Sequence, residues 1–266
     1  MYFTIIYYTI NDNFFQDFFY TFFVFLFSLD KKEKTRYNVL MNNSYTLIPI
    51  AYIHSDFKEK FGIPRQSGRA PSVLTRIRFT PDFSHPDFFR GIDGFSHLWL
   101  LFDFSLTREK GWSATVRPPR LGGNARVGVF ASRSPFRPNH IGLSCVKLES
   151  VETTKNGVEL TVSGADLLDG TPIFDIKPYR PFADCQTTAV GGYADEHKNE
   201  RLEVAFPQAL LDKIPPEKRA GLIECLSDDP RPSYQDEPSR VYGMAFGKYQ
   251  IKFAVSGNTL TVTAVE

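Results

Sequence analysis

The chain has 266 residues, 42% of them hydrophobic and 23% charged, with a formal net charge of +1. This composition excludes a disordered chain, and the near-zero balance excludes a protein that holds nucleic acid through bulk charge alone. Cys145, Cys185 and Cys225 form no C-x-x-C pair, and His54, His85, His97, His140 and His197 show no i, i+4 spacing. Three reduced thiols and no metal site are expected.

The first forty residues differ from the rest. Residues 1–30 are crowded with Phe and Tyr, and an apolar run from Phe18 to Leu29 lies between Asp17 and Asp30. A bilayer needs about twenty apolar residues, so the run is too short to span one. No Lys or Arg precedes it, so the charged start of a signal peptide is missing. The sequence therefore reads as a chain whose natural start is Met41, with residues 1–40 a non-native extension. A membrane tether is the alternative. The protein is expected in the cytoplasm.

From Tyr45 onward short strands dominate. Tyr45 to Ile53 is rich in β-formers, and Pro49 suits an edge. Thr75 to Phe79 alternates. Phe95 to Phe104 is nearly continuous in apolar residues, as in a strand buried on both faces. Ile141 to Val151 and Val158 to Val162 flank Asn156-Gly157, and Tyr249 to Val255 and Thr259 to Val265 flank Gly257-Asn258. Both are hairpin signals, because the turn residues must accept positive φ. Pro207 to Lys213 and Pro216 to Leu226 read as helices with proline in the first turn, the second carrying Leu222, Ile223 and Leu226 as its core stripe. Strand and helix do not alternate, which excludes a doubly wound sheet. The fold class is mainly β: a small antiparallel β barrel over residues 41–195, then a small α+β domain over 200–266. The boundary falls in the Gly-rich, then polar stretch Gly191 to Asn199.

Chemistry concentrates in two loops. Between Lys110 and Glu149 there is no Asp or Glu, yet Arg117, Arg120, Arg126, Arg133, Arg137 and Lys147 lie there. A run of cations without anions is the electrostatic footprint of a phosphate-bearing ligand, and a solvated basic face is the alternative. Its many Pro and Gly residues pin loops beside the barrel. The second loop runs from Asp166 to Tyr179, with carboxylates at Asp166, Asp169 and Asp175. Their spacing does not fit an EF-hand. Acceptors for a ribose or an amino group, or plain turn chemistry, fit equally. No G-x-G-x-x-G, Walker A loop, G-x-S-x-G elbow or H-E-x-x-H is present, so a nucleotide-like cofactor would be held by a non-Rossmann route.

Two long segments, GVFASRSPFRPNHIGLS from Gly128 and DGTPIFDIKPY from Asp169, resemble the signatures of the TsaA-like, or TrmO (YaeB-type), family of tRNA (adenine-N6)-methyltransferases. Lys60 to Gln66, Phe95 to Trp99, Val116 to Arg126 and Asp229 to Pro232 add to the resemblance, which runs from about Ile48 to Val265. His140 departs from the pattern, since the family commonly has Pro there. The resemblance implies a β barrel that binds S-adenosylmethionine and works as a homodimer. It implies methylation of N6 of N6-threonylcarbamoyladenosine at position 37 of tRNA(Thr), in the anticodon stem-loop. A non-catalytic tRNA-binding barrel and a small-molecule methyltransferase are the alternatives.

By position in the matching motifs, the cofactor should touch Gln66, Ser67, Gly68, Arg133, Asp166, Leu167, Leu168 and Asp169, with His97 and Thr107 lining the same pocket. Asp169 or Asp175 is the candidate base that takes the proton lost from N6. Arg117, Arg120, Arg126, Arg137 and Lys177 are candidates for tRNA contact.

Overall fold

The computed structural model describes residues 45–118, 121, 125–197, 200–231, 237 and 239–266. The expected extension 1–40, Met41 and Arg120 lie outside them. In chain order the strands are β1 (Ala51–His54), β2 (Leu74–Phe79), β3 (His97–Asp103), β4 (Thr115–Val116), β5 (Val127–Gly128), β6 (Ile141–Thr154), β7 (Gly157–Ser163) and β8 (Pro172–Pro178). Beyond them come β9 (Glu203–Ala205), β10 (Tyr242–Phe246), β11 (Tyr249–Ser256) and β12 (Thr259–Val265).

Six strands close a barrel in the order β1-β2-β7-β6-β3-β8, every neighbouring pair antiparallel. Closure leaves no unpaired edge for another chain to add to. Alternate residues point inward and fill the interior: Ile53, Ile77, Leu98, Leu100, Val146, Leu160, Val162 and Ile173 are all fully or almost fully buried. The strand β3 expected to be buried on both faces follows this alternation instead. Leu98, Leu100 and Phe102 face the core, while Trp99 and Leu101 are only half covered and the Trp99 indole N–H donates to Asp184 Oδ2 at 3.1 Å. The run near Tyr45 enters the barrel only at Ala51. The first hairpin turns at Lys155-Asn156, one residue earlier than the sequence suggested. Gly157 opens β7 with φ +103°. The second turns at Gly257-Asn258 as read.

The C-terminal sheet has the order β10-β11-β12-β9, with β9 parallel to β12. The helix Pro216–Ser227 packs on it through Leu222, Cys225 and Leu226, with Pro216 in its first turn and Ile223 only partly covered. This second core also takes Phe57, Ala70 and Val73 from the connection between β1 and β2. Phe61, on the same connection, stacks on Tyr242 and Phe253 with ring centroids 6.5 and 6.4 Å apart. The long β1–β2 connection therefore leaves the barrel, docks on the C-terminal sheet and returns, all within the compact unit Ile48–Glu266. Among the described residues no helix is long and apolar enough to cross a membrane.

Candidate functional site

A cavity of about 240 Å³ opens where β3 ends. The chain leaves β3 at Asp103 and winds through a 3₁₀ turn, Ser105–Lys110, so Phe102 to Thr107 form one wall. The Phe104 N–H donates to His140 O at 2.9 Å, and the Thr107 hydroxyl donates to Phe104 O at 2.9 Å, which fixes that turn. The opposite wall is Asp166 to Leu168, on the loop that follows β7. Lys60, Ile63 and Pro64 of the β1–β2 connection and Pro135 complete the lining. The surface is apolar where Phe102, Phe104, Leu106, Leu167 and Leu168 meet and polar where Asp103, Asp166, Thr107 and Thr171 stand. An apolar slot with a few convergent polar groups is the usual form of a small-molecule site.

Asp166 is the most densely engaged group. Its Oδ1 accepts from the buried Ser144 hydroxyl at 2.5 Å. Burial pushes the Asp166 carboxyl above the ordinary carboxylate value. The Ser144 bond, its own N–H and that of Ser67, and the charge of Arg133 pull the other way without cancelling the effect. Arg133 donates to Gln66 Oε1 at 2.8 Å. The Gly68 N–H donates to Gly164 O at 2.8 Å. Both glycines have positive φ, and a Cβ on Gly164 would come within 3.3 Å of the Gly68 backbone, so the two loops approach as only glycine permits.

The Gln66 loop is held from its other side by the end of the C-terminal helix. Asp228, 5% exposed, accepts from Arg65 N–H at 3.1 Å and from Arg69 Nε at 2.6 Å. The Arg65 guanidinium donates to Asp229 O and Arg231 O, at 3.0 and 2.9 Å. Glu224 accepts from both the N–H and the hydroxyl of Ser72.

Eight predicted cofactor residues fall in one region: Asp166, Leu167, Leu168 and Thr107 line the cavity, while Gln66, Ser67, Gly68 and Arg133 lie beside Asp166, off the lining. His97 is a correction. It begins β3, about 20 Å of strand from Asp103 at 3.3 Å per residue, where it bonds Ser96 and lies 6.2 Å from the Tyr179 ring. Asp169 is another. It is absent from the cavity wall, its Oδ1 accepting from Ser55 N–H at 3.0 Å and its Oδ2 from Lys58 Nζ at 2.7 Å. Burial raises its carboxyl, but the bonds from Lys58 and Ser55 and the charges of Lys58 and His54 outweigh burial and hold it below the ordinary value. Such a carboxylate is a weak base. Asp175 is likewise taken up, by Ile176 N–H and by Lys177 at 2.8 Å, and lies off the cavity.

Of the cations, Arg117 and Arg126 are exposed and have no ion-pair partner among the described residues. Arg137 donates to Val129 O and Ser132 O at 3.1 and 2.6 Å, so it staples the loop rather than reaching out. Lys177 is engaged by Asp175. Sequence reasoning missed Asp103, Ser144 and the Arg65–Arg69–Asp228 clamp. One signal was available: Asp103 is the only charge in the apolar run Phe95 to Phe104.

Compared with known proteins, residues 52–185 match the tRNA-methyltransferase O N-terminal domain and residues 199–266 the TrmO C-terminal domain. An Escherichia coli (strain K12) protein named tRNA (adenine(37)-N6)-methyltransferase is 40% identical over 232 residues, which cover 84% of this chain and 99% of the relative. A protein of the same name from Eikenella corrodens is 48% identical over 172 residues, covering 64% of this chain and 97% of that one. The crystal structure of TrmO from Pseudomonas aeruginosa superposes with a TM-score of 0.67 at 34% identity, covering 84% of this chain and 99% of the other.

Proposed function

The chain belongs to the tRNA-methyltransferase O family, and from that premise we propose that it transfers the methyl group of S-adenosylmethionine to N6 of N6-threonylcarbamoyladenosine at position 37 of tRNA(Thr). The observation that supports the reading is the cavity between the end of β3, Lys60 to Pro64 of the β1–β2 connection and the Asp166 loop. Its groups fit the methyl donor. Carboxylates suit a cationic sulfonium compound with an ammonium group, and the apolar wall suits a purine; Arg133, off the lining but close enough for its charge to act on Asp166, suits a carboxylate. When bound, the donor supplies an electrophilic methyl carbon.

The protein's work is alignment. Gln66, held by Arg133, and the Leu167-Leu168 backbone fix the donor's two halves, and holding the reactants in line supplies several kcal/mol. Of the three carboxylates of this loop Asp166 alone lines the cavity, so it, rather than Asp169 or Asp175, faces the donor. It takes a ribose or amino group of the donor. The N6 proton becomes strongly acidic once nitrogen bonds the methyl carbon, so water suffices to accept it. Arg117 and Arg126 contact the tRNA backbone of the anticodon stem-loop. The protein acts in the cytoplasm as a homodimer, its barrel domain carrying the donor and residues 200–266 bracing the Gln66 loop.

The test uses labelled S-adenosylmethionine and two tRNA preparations, one carrying the threonylcarbamoyl group and one unmodified. Label in the modified tRNA alone is expected. Label in neither, despite measurable donor binding, would overturn the substrate and redirect the search to small molecules.

A further inference from the structure

Asp103 has a feature that the donor-binding loops do not explain. Its side chain is 6% exposed and stands on the cavity wall. Its Oδ2 accepts from Arg108 Nη2 at 2.5 Å. Its Oδ1 is closed to solvent and has no hydrogen-bond partner among the described residues. Two other buried side-chain atoms share that condition, Thr75 Oγ1 and Tyr242 Oη, but both are neutral hydroxyls and neither lines the cavity. A buried carboxylate oxygen without a donor is costly, so it marks a place where a donor is to arrive. The carboxylate sits at the end of β3, where backbone pairing to Ile141 fixes its position. The torsion about Cβ–Cγ is broad, so the free oxygen can be turned to the cavity while Arg108 follows on its exposed side chain.

We propose that Asp103 is a ligand-binding residue: its free carboxylate oxygen accepts a hydrogen bond from a donor group of the bound S-adenosylmethionine. This rests on the donor reading given above. Two parts of that ligand offer the chemistry, the α-ammonium of the amino-acid half and the hydroxyl or amino groups of the nucleoside half. The second carboxylate of the cavity, Asp166, already accepts from Ser144 and two backbone N–H groups. Asp103 is therefore the acceptor with capacity to spare.

The test compares the full chain with D103N, D103L and R108Q. Calorimetry would give the affinity for S-adenosylmethionine, S-adenosylhomocysteine and 5′-methylthioadenosine, beside the melting temperature. Asparagine would keep its oxygen toward Arg108 and put an NH₂ where the acceptor stood. Leucine would fill the same space without a polar atom. Both variants should bind S-adenosylmethionine about tenfold more weakly, the size expected of one charge-assisted hydrogen bond. D103L should melt no lower than the parent, because the orphaned oxygen is gone. R108Q should stay within about threefold of the parent, since it leaves the ligand's acceptor in place. A loss that persists with 5′-methylthioadenosine puts the bond on the nucleoside. A loss confined to the two amino-acid-bearing ligands puts it on the ammonium. D103N and D103L binding as tightly as the parent would overturn the assignment, and so would R108Q matching their loss, which would make Asp103 only Arg108's partner. Failure of the parent itself to bind S-adenosylmethionine would overturn the donor reading, and this assignment with it.

Discussion

Asp166 and Asp169 stand on one loop, yet their surroundings push their carboxyls in opposite directions. Asp169 is held low, so the folded chain favours its charged form. Its stabilising effect is present above the ordinary value of 3.8 and is lost as the pH falls through the lower, folded value. The stability lead of the wild type over D169N, measured by urea unfolding, should therefore shrink as the pH drops from about 6 toward 3. Asp166 is held high, so the folded chain binds its proton more tightly. It opposes folding increasingly as the pH rises from 3.8 through the folded value. D166N should accordingly gain on the wild type as the pH is raised from about 4, while its methyl transfer falls. A stability difference between D166N and the wild type that did not move in favour of D166N between about pH 4 and neutrality would contradict this. Nothing in the sequence separates these two residues. Both sit in the same carboxylate-bearing loop, and only the arrival of Ser55 and Lys58 at one and of Ser144 at the other tells them apart.

At the scale of elements, the β1–β2 connection is the part that makes the site. It carries Gln66 to Gly68 and is held by the end of the helix Pro216–Ser227 through Asp228. D228N weakens two bonds to that connection. It should lower stability by about 2 kcal/mol and weaken donor binding severalfold, read by chemical denaturation and calorimetry. Donor binding unchanged at full occupancy of the fold would mean that the clamp does not order the loop. Gly62 is the close approach that seats the connection on β10. It has φ +93°, and a Cβ there would come within 2.2 Å of Met244 Sδ. G62A should cost about 1–3 kcal/mol from the backbone alone, and more if Met244 cannot turn aside. The hairpins and the helix were legible because turn residues and first-turn prolines act locally. Even there, the first turn fell one residue early, because Gly157 takes its positive φ as the first residue of β7.

At the scale of the whole molecule, the net charge of +1 conceals the exposed Arg117 and Arg126. Binding of tRNA should weaken steeply with salt. R117A and R126A should each reduce the slope of log affinity against log salt by about one; variants with an unchanged slope would remove these residues from the tRNA surface. The sequence by itself determined the β-rich class, the antiparallel pairing expected of the barrel strands, the helix from Pro216 to within one residue of its end, and the family, because alternation, turn chemistry and long motifs are written in neighbouring residues; the helix read over Pro207–Lys213 is only Gln208–Leu211. The matching motifs also singled out the Gln66 loop, Arg133 and the Asp166 loop, which the fold brings side by side. Only the tertiary structure decided that His97 stands at the far end of its strand from Thr107, that Asp169 and Asp175 are already engaged, and that Arg137 is a staple. It alone showed that residues 57–73 pack into the second core and that Asp228 reaches Arg65 and Arg69 across more than 150 residues of chain. The physical reason is range. Periodicity and turns are set by contacts a few residues apart, whereas the protonation and availability of a side chain are set by whichever distant groups the closed barrel and the docked connection bring beside it.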